Sequence, residues 1–231
     1  MNKNFNFETG EILLVDKEIG WTSFDVVAKI RSSLKLLKIK IGHAGTLDPF
    51  ATGLLILCTG KFTKRIIEFQ EMKKVYSGTM RFGQTTPSFD LDTPINQVFN
   101  YNHITEDNIK NTTKKFIGEI EQTPPIYSAI KIQGERLYRK AMRGESVIIP
   151  KRLVDIYSFE ITDIRMPDVD FIISCSKGTY IRSLASDFGK MLNSGAHLIA
   201  LRRLKIGEFD VINGRGVVGL IETINNSVFS Y

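Results

Sequence analysis

The most unusual stretch of this sequence is residues 42–53, which read Gly-His-Ala-Gly-Thr-Leu-Asp-Pro-Phe-Ala-Thr-Gly. Three glycines and a proline in so short a stretch rule out a regular helix or strand and predict a shaped loop. The loop carries His43 and Asp48, and such side chains serve as general bases, while a carboxylate can also act as a nucleophile. Pro49 biases Asp48 towards an extended backbone, and the apolar run 54–58 anchors the loop. The residues alone leave two interpretations open: an active-site loop on a rigid element, or an Asx-type turn at Asp48 beside a surface histidine.

Other kinds of chemical site lack the residues they need. Gly60-Lys61 is followed by Phe62, so no phosphate-binding P-loop is present. The sequence has three histidines and two cysteines, and neither set is spaced as metal ligands are. We therefore expect neither a metal nor another cofactor.

A second polar segment, residues 175–183, joins a predicted strand to a predicted helix. It reads Cys-Ser-Lys-Gly-Thr-Tyr-Ile-Arg-Ser, with Arg182 in the first turn of the helix. An arginine at this position opposes the helix dipole, which favours a carboxylate or phosphate partner, although a solvated arginine would carry only a small penalty.

Helical and strand periodicities indicate the elements that must position these segments. One helix begins at Thr22 or Ser23, and its apolar positions are Phe24, Val27, Ile30, Leu34 and Leu37. A stronger helix runs from Tyr180 to Leu192, with apolar positions Ile181, Leu184, Ala185, Phe188, Met191 and Leu192. Further helices are predicted after Thr63 and Thr105, and strands at residues 75–82, 153–164, 169–175 and 197–206. This irregular order predicts an α+β fold, with a mixed sheet and helices packed on it.

Composition and charge point to a globular protein with a polyanionic partner. The 231 residues are 42% hydrophobic and 24% charged, and their formal net charge is +6. Basic residues are concentrated at 25–42, 131–152 and 177–205, as in nucleic-acid-binding proteins, although solvated helix faces would give the same pattern. No apolar run is long enough to cross a membrane and the N-terminus lacks a secretory signal, so we expect a cytoplasmic protein whose cysteines are reduced.

The loop at residues 42–53 resembles the signature loop of the TruB-type tRNA pseudouridine synthases. Other segments of that family follow in the same order. They are DKEIGWTS at 16–23, KVY at 74–76, PIYSAIK at 125–131, SKGTYIR at 176–182, and GAHL at 195–198 leading to LRRL at 201–204. Several long motifs in a fixed order over residues 11–210 favour the active-site interpretation of Asp48.

The resemblance implies a role for each matching residue. Asp48 corresponds to the essential catalytic carboxylate, and Arg182 to the arginine that pairs with it. The residues that correspond to substrate-binding positions are His43, Tyr76, Tyr180 and Leu201. Tyr76 would stack on the target uracil, His43 would contact the extruded nucleotides, and Tyr180 and Leu201 would line the pocket. A core-facing Tyr76, a surface Tyr180 or a packed Leu201 would be the purely structural alternatives.

The resemblance also implies the reaction and the partner. The family isomerises uridine 55 in the T arm of tRNA, breaking the N1–C1′ bond and joining C5 to C1′ without any cofactor. It implies the pseudouridine synthase fold, with a mainly antiparallel sheet and flanking helices. We expect a monomer with a single catalytic domain over residues 1–231, in which the basic segment 123–152 is a thumb-like insertion that closes over the T loop. Since the chain ends soon after the last motif, we expect no C-terminal PUA-type RNA-binding domain.

The sequence departs from the family pattern at a few positions. Glu18 stands where proline is usual, and Ser88 and Thr93 replace a threonine and a glycine. Two other functions use the same residues. One is an RNA-binding or RNA-folding protein without catalysis, and the other is the same isomerisation on another RNA, either a different stem-loop or a guide-directed target. A glycosidase would want a second carboxylate beside Asp48, and the loop has none. Whether Asp48 would act as a nucleophile or remove a sugar proton to give a glycal is left open.

Overall fold

The computed structural model describes residues 5–33 and 38–228, and the chain forms two compact units. Unit 1 comprises Met1–Tyr76 and Leu201–Tyr231, and unit 2 comprises Ser77–Ala200. The single catalytic domain expected from the sequence stays a prediction, and each unit is described by itself.

Strands dominate the described residues. In chain order they are β1 (Ile12–Lys17), β2 (Ile41–His43), β3 (Thr52–Thr59), β4 (Lys74–Phe82), β5 (Gln84–Thr85), β6 (Gln97–Val98), β7 (Gly118–Gln122), β8 (Lys131–Ile132), β9 (Glu135–Arg136), β10 (Arg152–Arg165), β11 (Asp168–Cys175), β12 (Ala196–Ile206) and β13 (Phe209–Asp210). The chain passes from one unit to the other within β4 and again within β12.

The helices alternate irregularly with these strands. They are α1 (Ser23–Ser33), α2 (Ile66–Glu71), α3 (Glu106–Lys114), α4 (Leu137–Met142), α5 (Ile181–Met191) and α6 (Val217–Val228), with short 3-10 helices at Gly60–Arg65 and Val211–Asn213. No helix in the described ranges is long and apolar enough to span a membrane.

In unit 1, strand β3 is the central element. It pairs antiparallel with β1 and β2, and parallel with β12 through Arg202 opposite Thr52 and Arg203 opposite Gly53. Residues 53–59 are all buried because both faces of β3 are covered. Leu55 and Leu57 pack in a cluster with α1 and α6, and Leu54 and Ile56 pack in a second cluster with Phe69 of α2. A strand buried on both faces is a rigid base for the loop that precedes it.

Unit 2 is built on antiparallel pairs and an aromatic core. Strand β10 pairs with β7 on one side and with β11 on the other, and the part of β4 in this unit lies between β11 and β12. Phe188 of α5 packs against Phe82, Phe116 and Phe159, with ring centroids 5.4–6.1 Å apart. Burying an aromatic side chain contributes about 1.5–3 kcal/mol, so these rings fix α5 on the sheet.

The basic segment 123–152 leaves and re-enters the sheet of unit 2 at neighbouring positions. Gln122, the last residue of β7, is paired with Arg152, the first residue of β10. Between them lie the β8–β9 hairpin and α4. The segment is therefore an excursion from an antiparallel pair, and its thumb-like role stays a prediction.

The expected α+β fold with a mainly antiparallel sheet is confirmed, and most element predictions are too. The faces of two helices differ in detail. Phe24, predicted on the apolar face of α1, is 68% exposed, and Val26 is buried in its place; Leu34 and Leu37 lie outside the described residues. Met191, predicted on the apolar face of α5, is 45% exposed at the end of that helix. The helix expected after Thr63 begins as the 3-10 helix Gly60–Arg65 and continues as α2.

Candidate active site

The loop that carries Asp48 joins β2 to β3 in unit 1. The Ala44 amide donates to the Ile56 carbonyl at 2.9 Å, and the Ala51 amide donates to the Asp48 carbonyl at 3.1 Å. Asp48 is partly exposed, whereas Leu47 beside it is buried. The carboxylate thus lies on a closed turn at the start of the most deeply buried strand of unit 1.

The residues on either side of Asp48 are tied to the segment between β1 and α1. The Ser23 hydroxyl donates to the Leu47 carbonyl at 3.2 Å and accepts from the Leu47 amide at 2.8 Å. The Gly20 amide donates to the Pro49 carbonyl at 2.8 Å. The backbone around Asp48 is therefore held on both sides, as a catalytic group requires.

Arg203 of β12 donates hydrogen bonds to backbone carbonyls on both sides of Asp48. Its side chain is 1% exposed, and its guanidinium donates to the carbonyls of Leu54 at 2.7 Å and Gly45 at 3.1 Å. Gly53 lies against the backbone of the same residue: its φ is +101° and a Cβ there would come within 2.3 Å of the Arg203 carbonyl oxygen. Only glycine fits at this close approach.

Lys17 is a second buried cation in unit 1. It is fully buried, and its ammonium donates to the carbonyls of Trp21 at 2.7 Å, Glu18 at 3.0 Å and Pro49 at 3.4 Å. Burial lowers the pKa of Lys17 to about 8, the negative charge of Asp48 opposes that change, and the positive charge of Arg203 adds to it. Two buried cations, Lys17 and Arg203, thus donate hydrogen bonds to backbone carbonyls of the loop that carries Asp48.

The other proposed site residues of unit 1 lie on three different strands. His43 ends β2, and burial, with a smaller effect of Arg203, lowers its pKa, so its imidazole is neutral at pH 7. Tyr76 of β4 is partly buried, and Leu201 of β12 is 7% exposed. Burial of Leu201 agrees both with a pocket-lining role and with simple packing, so these assignments stay predictions.

The remaining histidines have structural contacts in unit 2. His103 donates to the Leu192 carbonyl at 2.9 Å, and His197 donates to the Gln84 carbonyl at 3.3 Å. Over residues 5–33 and 38–228, no group of three or more His, Cys, Asp or Glu side chains could hold a metal ion.

In unit 2, Arg182 lies in the first turn of α5 and is 3% exposed. It donates to the carbonyls of Ser88 at 3.1 Å and Tyr127 at 3.0 Å, and it forms an ion pair with Asp90 at 3.3 Å. Asp90 is fully buried, and its other oxygen accepts from the Asp92 amide at 2.9 Å. Arg182 thus has a carboxylate partner within unit 2, as the helix dipole favours, while its pairing with the catalytic aspartate stays a prediction.

The turn that carries Asp90 contains two of the departures from the family pattern. The hydroxyl groups of Ser88 and Thr93 are hydrogen-bonded at 2.8 Å, and the Ser88 amide donates to the Thr93 hydroxyl at 3.0 Å. Since the Ser88 carbonyl accepts from Arg182, the two replacements lie next to a proposed functional residue.

Tyr180 is the N-cap of α5, and unit 2 holds it from two sides. The side-chain amide of Gln122 exchanges hydrogen bonds with its backbone, and the guanidinium of Arg152 lies 5.3 Å from its ring centroid. Tyr180 is partly buried and has no side-chain cap hydrogen bond of its own.

Sequence reasoning missed Lys17, Arg203, Asp90 and Gln122, although all but Gln122 lie inside motifs or stretches that it compared with the family. A charged residue within an apolar strand could have indicated a buried cation, as for Lys17 in β1 and Arg203 in β12. Their partners are carbonyl groups far along the chain, which local spacing does not identify.

The family model described as TruB family pseudouridylate synthase (N terminal domain) matches residues 31–181, well over half of the chain. The chain belongs to this family. The matched TruB segment includes the loop with Asp48, the turn with Asp90 and the start of α5.

Curated TruB relatives extend the match over most of the chain. A protein of Flavobacterium johnsoniae named tRNA pseudouridine synthase B is 57% identical over 209 residues, which cover 88% of this chain and 91% of the relative. A protein of the same name from Parabacteroides distasonis is 49% identical, with 88% of each chain covered.

Among solved structures, a chain in the crystal structure of a Cbf5-Nop10-Gar1 complex is similar with a TM-score of 0.73 and 29% identity. The match covers 96% of this chain and 56% of that one, so this TruB family chain spans little more than half of the solved chain.

Proposed function

We propose that this protein isomerises uridine 55 in the T arm of tRNA to pseudouridine. The observation that carries the proposal is the relative named tRNA pseudouridine synthase B, which is 57% identical over 88% of the chain. The loop with Asp48 and the segment with Arg182 are complete in this sequence. The substrate is an RNA stem-loop, and we expect the enzyme to act as a monomer in the cytoplasm.

The reaction rearranges uridine without adding or removing atoms. The N1–C1′ bond breaks, the uracil turns, and C5 bonds to C1′. The proton at C5 is released to solvent and N1 takes up a proton, so the composition is unchanged. Asp48 acts as an ionised carboxylate, either as the nucleophile at C1′ or as the base that removes a sugar proton. The buried ammonium of Lys17 interacts with the negative charge of Asp48, and this attraction favours the ionised form.

The other site residues hold the extruded nucleotide. Tyr76 stacks on the uracil, and stacking of this kind contributes about 1–3 kcal/mol per base. Leu201 and Tyr180 line the pocket, His43 contacts the flipped nucleotides with a neutral ring, and Arg182 acts as the arginine that pairs with Asp48. Extrusion of the base costs a few kcal/mol, which contacts to the RNA backbone offset.

Unit 1 has a basic groove suited to such backbone contacts. The groove has a volume of about 420 Å³ and is lined by Lys38, Lys40, Lys61 and Lys64, with Glu8 as its acidic member. Lysines in this arrangement bind phosphates without reading sequence, and their contribution falls as salt rises. Shape recognition of the T loop supplies the specificity.

The test is tritium release from a tRNA transcript labelled at uridine C5, with the wild type beside Asp48→Asn. Asp210→Asn is the matched control, because Asp210 caps the Ile212 amide at 3.0 Å and asparagine caps equally well. We expect release by the wild type and the control, and a loss of at least about 10²–10⁴-fold in Asp48→Asn with RNA affinity retained.

A second transcript with cytidine at position 55 identifies the target. Continued release from that transcript would contradict the assigned position and favour another uridine or another RNA. Tight binding of tRNA without release from either transcript would instead favour an RNA-folding protein.

A further inference from the structure

One side chain holds both backbone groups of Tyr180. The Gln122 amide nitrogen donates to the Tyr180 carbonyl at 3.0 Å, and the Tyr180 amide donates to the Gln122 carbonyl oxygen at 2.7 Å. Gln122 is 1% exposed, so water does not compete for these bonds. The Tyr180 amide is among the helix-start donors that have no acceptor within α5, and the Gln122 side chain accepts from it.

The residue opposite Gln122 in the sheet holds the ring of the same tyrosine. Arg152 is the antiparallel partner of Gln122, and its guanidinium carbon lies 5.3 Å from the centroid of the Tyr180 ring. It also donates to the Gly178 carbonyl at 3.5 Å, two residues before Tyr180. A guanidinium over an aromatic face is attracted by the electrons of the ring, which restricts the ring orientation.

Two further bonds join the start of segment 123–152 to the first turn of α5. The Ser183 hydroxyl donates to the Thr123 carbonyl at 2.7 Å, and Arg182 donates to the Tyr127 carbonyl at 3.0 Å. The residues at which the segment leaves and re-enters the sheet are therefore the residues that fix Tyr180.

We propose that Gln122 and Arg152 are positioning residues that hold Tyr180 in the orientation needed for the uridine, and so link the basic segment 123–152 to the substrate pocket. The inference rests on the proposed function, in which Tyr180 lines that pocket. Gln122 fixes the backbone and Arg152 fixes the ring. Contacts of the segment with RNA would therefore act on the placement of Tyr180 as well as on affinity.

The first test replaces Gln122 by methionine, which has a similar length and neither hydrogen bond. We expect the single-turnover rate of tritium release to fall about 10- to 100-fold, because misplacement of about 1 Å at a reacting site can cost as much as 100-fold. The dissociation constant for tRNA should stay within about threefold, since Gln122 is buried and presents no charge to RNA. Glu121→Gln is the matched control, since Glu121 precedes Gln122 on β7, is exposed, and pairs with Lys151.

Gln122→Glu makes the hydrogen bond to the Tyr180 carbonyl depend on pH, so it separates a positioning role from a general loss of stability. An ionised glutamate accepts from the Tyr180 amide but cannot donate to the Tyr180 carbonyl, whereas a protonated glutamate does both. The rate of Gln122→Glu relative to the wild type should therefore rise as pH is lowered through the glutamate pKa, while the ratio for Gln122→Met stays flat.

Arg152→Lys separates ring orientation from charge. Lysine keeps the positive charge for RNA but loses the planar contact with the ring. We expect the release rate to fall about 3- to 10-fold with unchanged salt dependence of binding. A loss of affinity with an unchanged rate would overturn the positioning role, because Arg152 would then act only on phosphates.

A double-mutant cycle of Gln122→Met with Tyr180→Ala decides whether Gln122 acts through Tyr180. If it does, the second replacement adds little to the first, whereas additive losses would overturn the inference. Wild-type rates in the Gln122 and Arg152 variants would also overturn it while leaving the proposed function intact. Absence of release by the wild type would overturn the proposed function and this inference with it.

Discussion

The loop of Asp48 in unit 1 and the start of α5 in unit 2 hold functional side chains in different ways. In unit 1 the buried cations Lys17 and Arg203 donate to backbone carbonyls. In unit 2 the buried cation Arg182 is paired with the buried carboxylate of Asp90. In unit 1 backbone carbonyl dipoles stabilise the buried positive charges, whereas in unit 2 the buried positive charge of Arg182 also has a buried carboxylate partner. The difference predicts that the two regions respond differently to loss of a charge.

The largest effect is expected from Asp90→Ala in unit 2. Removing one partner of a buried ion pair leaves the other charge uncompensated and costs about 3–5 kcal/mol. The free energy of unfolding, measured by urea denaturation, should fall by that amount. Asp92→Ala in the same turn is the control, because the Asp92 side chain is exposed. Equal losses in the two variants would show that the ion pair is not what stabilises this turn.

In unit 1, Arg203→Lys should cost somewhat less. Lysine keeps the charge but cannot reach the Leu54 and Gly45 carbonyls together, and loss of one charged hydrogen bond costs about 1.5–3 kcal/mol. Turnover should fall more than tRNA affinity, because the loop with Asp48 loosens while the lysines proposed to bind the RNA backbone remain. Single-turnover rates and filter binding measure the two quantities, and an affinity loss as large as the rate loss would refute this reading of Arg203.

The lowered pKa of Lys17 predicts a pH dependence. The unfolded lysine has a pKa of about 10.4, and the folded one has a pKa of about 8. Between these values the unfolded chain binds a proton that the folded chain has released, so the contribution of Lys17 to the free energy of unfolding rises with pH. Below about pH 8 Lys17 is charged in both states, and the full reduction in the free energy of unfolding caused by its burial is present.

The measurement compares urea unfolding of the wild type with Lys17→Met at about pH 7.5 and at about pH 9.5. The difference between the two proteins should change by about 2 kcal/mol in favour of the wild type at the higher pH. A constant difference would mean that Lys17 keeps an ordinary pKa despite its burial.

The smallest effect is expected from Asp16→Asn. Asp16 and Arg202 form a bidentate ion pair in unit 1 with distances of 2.7 and 2.9 Å, but their side chains are 32% and 37% exposed. Water and salt screen such a pair, so the loss should be about 0.2–1 kcal/mol. In the same urea titration at high salt, most of this loss should disappear. A loss comparable to that of Asp90→Ala would show that the exposed and the buried ion pair stabilise the fold equally.

Local sequence was sufficient for most elements and for the loop of Asp48, because both depend on short-range patterns. The start of α1 at Ser23 was predicted, but its buried face was not. Ser23 is turned towards Leu47, so the buried positions are 23, 26, 27 and 30, and Phe24 is left exposed. Asp90 and Gln122 were missed because their partners, Arg182 and Tyr180, lie far along the chain. Only the fold brings each pair together within unit 2.

The contact between Ser88 and Thr93 has a consequence for replacing either residue. The two positions at which the turn departs from its family are hydrogen-bonded to each other, so the effects of replacing them should not be additive. Restoring glycine at 93 alone would leave the Ser88 amide without the Thr93 hydroxyl and the Ser88 hydroxyl with only its 3.4 Å bond to the Asp90 carbonyl. A protein with both positions restored should therefore be more stable than one with glycine at 93 alone.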